Sequence, residues 1–133
     1  ALSWWDGFGK NRINGIFFEA IKELGVTAPG ALPAGPAVDR FSDPDQFAAI
    51  LREAGFEDIG IDYVSFSYPL KTVDDLWDLA LGSFVRVSTV IHAQSADVQQ
   101  QIRDKVEQMA QQYIMSPNGL HIPIAFRVIG GAR

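Results

Sequence analysis

Residues 41–66, FSDPDQFAAILREAGFEDIGIDYVSF, most constrain what this chain can fold into, because start, stop and strand signals follow one another there without a gap. Asp43 stands where a helix N-cap belongs, Pro44 fills the first helical position, which needs no N–H, and Gln46 is spaced to close a capping box onto Asp43. Phe47, Ala48, Ile50, Leu51 and Ala54 fall mostly on one helical face, with Asp45, Arg52 and Glu53 elsewhere, the pattern of a helix packed on a sheet. Gly55 supplies a left-handed stop, and Phe56 is placed to pack back on the last turn. In the strand over 59–66 one face carries Ile59, Ile61 and Tyr63 and the other Val64 and Phe66, continued by Tyr68. Apolar residues on both faces predict cover on both sides, as in layered α/β sheets.

The 133 residues make one domain's worth of chain, and 47% apolar with 20% charged residues is enough to build a buried core. No run approaches the roughly eighteen consecutive apolar residues of a membrane span. A net charge of −5 without any lysine or arginine cluster argues against nucleic acid or an anionic membrane surface as the principal partner. The absence of cysteine removes disulfides and thiolate metal sites. Residues 1–6 hold no basic leader or long apolar run, so the expected compartment is the cytoplasm.

Along the chain, residues 1–5 read as the end of a strand that begins without any lead-in, and Asp6, Gly7, Phe8, Gly9, Lys10 and Asn11 as the loop leaving it. Asn14 is the expected cap of a helix over 15–24, in which Ile16, Phe17, Ala20, Ile21 and Leu24 keep the 3.6 period and Gly25 ends it. The proline-rich residues 27–39 predict an ordered surface loop. After the extended run ends at 68–70, Thr72 and Asp75 form a second capping box for a helix over 73–81, which Gly82 breaks or bends. Residues 84–91 are strand by propensity and buried helix by context; helix is favoured because only one glycine separates them from the helix before. Ser95 or Asp97 starts the longest helix, to about Tyr113, with a narrow stripe of Val98, Ile102, Val106, Met109 and Tyr113. Residues 116–119 predict a turn and 121–129 the closing strand, with Pro123 at its start or where no ladder bond is needed.

The common catalytic constellations are missing: there is no HExxH, no GxSxG and no glycine-rich phosphate loop. His92 and His121 are lone histidines, better explained structurally than catalytically. Asp6, beside Trp4 and Trp5, reads first as a turn or cap residue and second as a base. Trp77, Phe84 and Tyr113 line either an apolar pocket or plain core.

Taken in order, these pieces resemble the C-terminal half of a class I S-adenosylmethionine-dependent methyltransferase of the small-molecule group. LSWWD looks like that family's fifth strand, FSDPDQFAAILREAGFEDIGIDYVSF like its following helix and sixth strand, KTVDDLW like the start of a substrate-covering insertion, and LHIPIAFRVIGGAR like its seventh strand. The resemblance implies a partial Rossmann-like α/β fold of three strands in a mixed sheet, with the last strand antiparallel between two parallel ones. It also implies a single domain, 1–133, in which 1–68 and 120–133 form the sheet core and 69–119 a helical substrate lid. Trp5, Asp6, Phe8, Trp77, Phe84 and Tyr113 would then surround a small, apolar methyl acceptor. S-adenosylmethionine is the implied cofactor, but its glycine-rich loop and strand-ending acid are not in this chain. Gly7-Phe8-Gly9 follows the wrong strand and is expected to lack the strand–loop–helix setting that holds a nucleotide, so binding by this chain alone is not expected. Two alternatives stand beside this: a non-catalytic small-molecule-binding or dimerisation module, and an unrelated α+β pocket fold if 84–91 is a strand. The unpaired edge of the first strand predicts homo-oligomers, a homodimer or larger.

Overall fold

The computed structural model describes every residue except Ala34, Gly35, Pro36, Val38, Asp39, Ser116, Asn118 and Arg133. Among the described residues the order is β1 (Leu2–Trp5), α1 (Arg12–Glu23), α2 (Pro44–Glu53), β2 (Glu57–Leu70), α3 (Val73–Ser83), α4 (Val85–His92), α5 (Ala96–Ala110), a 3-10 turn (Gln111–Tyr113) and β3 (Leu120–Ala132). The strands form one sheet in the order β1-β3-β2. β3 is antiparallel to both neighbours, so β1 and β2 point the same way without touching. The expected central position of the last strand is observed. The sheet is antiparallel in every pairing and not mixed, because the two parallel strands are kept apart by β3.

The signals of residues 41–66 act locally. The Asp43 carboxylate accepts from the backbone N–H groups of Asp45 and Gln46 at 2.8 and 3.3 Å, and Pro44 opens the helix. At the other end Gly55 has φ +79°, Phe56 N–H donates to Leu51 O at 2.9 Å and Gly55 N–H to Arg52 O at 3.0 Å, the paired bonds of a Schellman stop. β2 then runs to Leu70, beyond the expected end, because Pro69 lies on an edge strand whose outer side needs no donor. Its entry is irregular: Asp58 has φ +47° and the register shifts between Glu57 and Gly60. The cover expected on both faces is incomplete, since Tyr63, Phe66 and Tyr68 are exposed.

Alternation along β3 divides the apolar residues between two sides of the sheet. Leu120, Ile122 and Ile124 join a core with Ile16 and Phe17 of α1, Leu76 and Trp77 of α3, Ile91 of α4 and Ile102 of α5. Ile129, of opposite parity, joins Phe47, Ala48 and Leu51 of α2, with Trp4 and Ile61 packed against them. Helices therefore lie on both faces, and the segment between β2 and β3 shares its core with α1.

Thr72 and Asp75 make the expected capping box. The helix it starts continues through Gly82 to Ser83, and the break comes at Phe84, with φ −101° and ψ 82°. Residues 85–92 are helical, as their context predicts, which removes the condition on which the unrelated α+β reading rested. Ser95 caps α5, which gives way to the 3-10 turn at Gln111. Pro123 pairs opposite Ser67 in the central strand. It is tolerated because its other side faces past the end of β1, whose last ladder partner is Phe126. Of the loop expected over 27–39, Ala34, Gly35, Pro36, Val38 and Asp39 lie outside the described residues, as do Ser116 and Asn118 of the expected turn. What is described of the first loop is tied down: Pro33 O accepts from Arg86 Nη1 at 2.9 Å, and Thr27 O from Gln94 Nε2 at 3.4 Å.

α1 departs most from expectation. It begins at Arg12 rather than Gly15, and Asn14 is buried inside it. The cause is the preceding loop, where Lys10 and Asn11 N–H groups both donate to Gly7 O, at 2.9 and 3.0 Å, and so start the turn early. Gly15 is required there: a Cβ would lie 2.2 Å from Phe8 O. Gly82, also helical, has no atom within 4 Å of an added Cβ. Gly15→Ala should therefore destabilise by about 1–3 kcal/mol, whereas Gly82→Ala should be neutral or stabilising by up to about 1 kcal/mol. Urea denaturation of the two variants checks both signs.

Candidate functional site

β1 stops opposite Phe126 while β2 and β3 continue, and α2 covers only the Trp4–Ile129–Ile61 part of its face. Register puts Tyr63 beside Arg127, Ser65 beside Ala125 and Ser67 beside Pro123, all on the same face as Ile61 and Ile129. This strip of floor is left open by α2. A cleft of about 430 Å³ lies on it, lined by Tyr63, Ser65, Ser67, Pro123 and Ala125, by Gly9, Lys10 and Arg12 from the start of α1, by Tyr113, and by Phe66 and Ile124 at its rim.

Two charge clusters shape the wall. Arg12 spends four of its N–H groups at once: Nε donates to Tyr113 Oη at 3.0 Å, Nη1 to Phe8 O at 3.0 Å and to Glu19 Oε1 at 2.6 Å, and Nη2 to Glu19 Oε2 at 2.7 Å. It thereby ties the loop, α1 and the turn after α5 together. The Glu19 pair is forked and holds that carboxyl below the usual carboxylate range, against the opposing effect of partial burial. The same hydrogen bond raises the Arg12 guanidinium further above its ordinary value. The second cluster centres on Asp6, whose side chain is only 5% exposed. Its carboxylate accepts from Gly7 N–H at 2.7 Å and lies 3.5 Å from both Lys10 Nζ and Arg127 Nη2. Lys10 Nζ also stands 4.9 Å from the Tyr63 ring centroid. Asn11 is fully buried with both amide atoms unpaired among the described residues, as is Arg127 Nε.

Of the six residues singled out for an acceptor pocket, Tyr113 lines the cleft and Asp6 holds its lysine. Phe8 stacks on Phe18 at 4.4 Å, and its carbonyl is the part that reaches Arg12. Trp5, opposite Phe126, sits on the other face of the sheet, 44% exposed. Trp77 and Phe84 belong to the main core, 6.1 and 6.3 Å from the Phe17 ring. The histidines are elsewhere: His92 ends α4 and His121 pairs with Pro69. Gly7-Phe8-Gly9 does stand between a strand and a helix, contrary to expectation, because α1 starts early. It is still no dinucleotide fingerprint, since Arg12 occupies the third glycine position. Sequence reasoning missed Lys10, Arg12, Ser65 and Ser67. A usable signal was the alternation of Tyr63, Ser65 and Ser67, which sets an aromatic and two hydroxyls on one face.

Among the described residues no group of three or more histidine, aspartate or glutamate side chains is disposed to hold a metal ion. No helix of the described residues is long and apolar enough to cross a membrane. No protein-family model matches the chain, and no curated protein matches it in sequence.

Asp6→Ala should cost about 1–3 kcal/mol, the desolvation penalty of leaving a buried partner such as Arg127 unmatched. Guanidinium denaturation measures it. The depressed Glu19 carboxyl contributes stability that is complete above the unfolded carboxyl's pKa of about 4.3 and is lost as pH falls through its lower folded value. Between about pH 5 and 3 the native chain should therefore lose more stability than Glu19→Gln. Thermal melts across that range compare the two slopes.

Proposed function

We propose that this chain is the acceptor-binding, C-terminal portion of an S-adenosylmethionine-dependent methyltransferase of the Rossmann-like class, acting in the cytoplasm on a small, mostly apolar molecule. The observation that carries this reading is the place of the cleft. It lies beyond the carboxyl end of β1 and beside the carboxyl-terminal part of β2, the side on which open α/β sheets gather their ligands. The central, antiparallel β3 between two co-directional strands fits the same resemblance. The helices between β2 and β3 deliver Tyr113 to the cleft, which suits a lid over an acceptor.

The chemistry asked of such a portion is modest. Methyl transfer from a sulfonium needs the acceptor atom held in line with the methyl group and water kept away, so binding and orientation are the contribution expected of these residues. S-adenosylmethionine itself would be held by a segment preceding β1, because Arg12 and its clamp occupy the start of α1 where a cofactor loop would need room. Among the described residues the cleft is lined by neither carboxylate nor imidazole. That composition also suits the alternative, a small-molecule-binding or dimerisation module without chemistry. The outer edge of β1, with Leu2 and Trp5 exposed, is the surface through which either form would self-associate.

Calorimetric titration with S-adenosylmethionine distinguishes the two. This chain should show no binding, while a chain extended by the segment encoded upstream should bind at about micromolar strength. An extended chain that folds yet ignores the cofactor would leave only the module. Light scattering after size exclusion should report a dimer or larger; a clean monomer at high concentration would dispose of the edge contact.

A further inference from the structure

The geometry points to a small molecule with an apolar ring and a carboxylate as the ligand of the cleft, its acid group held by Lys10. This rests on the acceptor-pocket reading and narrows it. Three cations, Lys10, Arg12 and Arg127, meet two carboxylates, Asp6 and Glu19, across the described ion pairs of the site. Arg12 and Glu19 satisfy each other through a two-bond fork. Asp6 is shared between Lys10 and Arg127 at 3.5 Å each, so among the described residues one positive charge in the cluster is unmatched. Its accessible bearer is Lys10, whose side chain is 58% exposed against 17% for Arg127. In a chain of net charge −5 this is a local reversal of sign. The start of α1 adds to it, having no acidic residue in its first turn and no side-chain cap.

The rest of the lining describes the remainder of the ligand. Tyr63, Tyr113 and Pro123 offer apolar surface for a ring, and about 430 Å³ lies within the range of small-molecule pockets. Tyr113 Oη accepts from Arg12, which leaves its own proton to donate, and the Ser65 and Ser67 hydroxyls stand on the floor. A phosphate is a poorer fit. The N–H groups of Gly7, Lys10 and Asn11 are already used within the loop, which leaves fewer backbone donors for the several oxygens of a phosphate than a full cradle supplies.

The test is an amide-resolved NMR titration of this chain with benzoate, against benzamide as its neutral isostere and inorganic phosphate as an anion without a ring. Benzoate should shift Gly9, Lys10, Ser65, Ser67 and Ala125 saturably, with benzamide and phosphate each weaker by about tenfold or more. Lys10→Met should cost benzoate a similar factor while Lys10→Arg retains it, and Ser65→Leu should block the floor for every ligand. Equal binding of benzamide, equal binding of phosphate, indifference to Lys10→Met, shifts elsewhere, or no saturable shift would each overturn the assignment. None of these ligands is the methyl donor, so a failure here leaves the cofactor titration to judge methyl transfer by itself.

Discussion

Everything in this molecule depends on one mismatch of length, four residues of β1 against thirteen of β3. A central strand must be paired on both sides or have some other use for its free backbone. β3 meets β2 along nearly its whole length but meets β1 only from Ile129 to Phe126. Past that point its free side accommodates Pro123, and the sheet face there is left without α2. Because side chains alternate, the same strand sends Leu120, Ile122 and Ile124 into the main core and Pro123, Ala125 and Arg127 to the opposite face, where Pro123 and Ala125 line the cleft and Arg127 meets Asp6. Cleft and core are thus two sides of one stretch of backbone, and neither can be changed without the other.

Around that floor the walls are held by charge as well as by apolar burial. Arg12 is the fastening point: one planar guanidinium reaches the Phe8 carbonyl, the Tyr113 hydroxyl and both Glu19 oxygens. A lysine has no fork with which to do this. Asp6 performs a similar service for Lys10, on a carboxylate that burial would penalise were it not hydrogen-bonded to Gly7 and flanked by cations. Asn11, buried with its amide unpaired among the described residues, marks the same loop as a place where stability is not maximised.

The helices between β2 and β3 have a double part. Leu76, Trp77, Val87, Ile91, Ile102 and Val106 build the main core with α1, so the segment is integral to folding. Its last turn also carries Tyr113 to the cleft. A wall made in this way moves only if part of the core moves with it, and Tyr113 is tied to α1 by the hydrogen bond its hydroxyl accepts from Arg12 Nε at 3.0 Å.

How much of this was legible beforehand depended on the range over which each residue acts. Capping by Asp43, Thr72 and Ser95, and the stops at Gly25 and Gly55, are settled within about five residues of chain, and all were readable. So were the apolar stripes of α2 and α5, which follow from helical period alone, and the helix over 85–92. Asn14 was misplaced because the turn that the Lys10 and Asn11 N–H groups close onto Gly7 O starts α1 early and outweighs a good local cap. Trp77 and Phe84 are aromatic wherever they end up, and only packing against Phe17 decided that they serve the core. By itself the sequence determined the elements, most of their ends and the buried faces of the helices, since those depend on neighbours a few residues away. The tertiary structure alone decided which residues share the cleft, because Lys10, Tyr63, Tyr113 and Ala125 meet through strand register and chain crossing that no local pattern encodes.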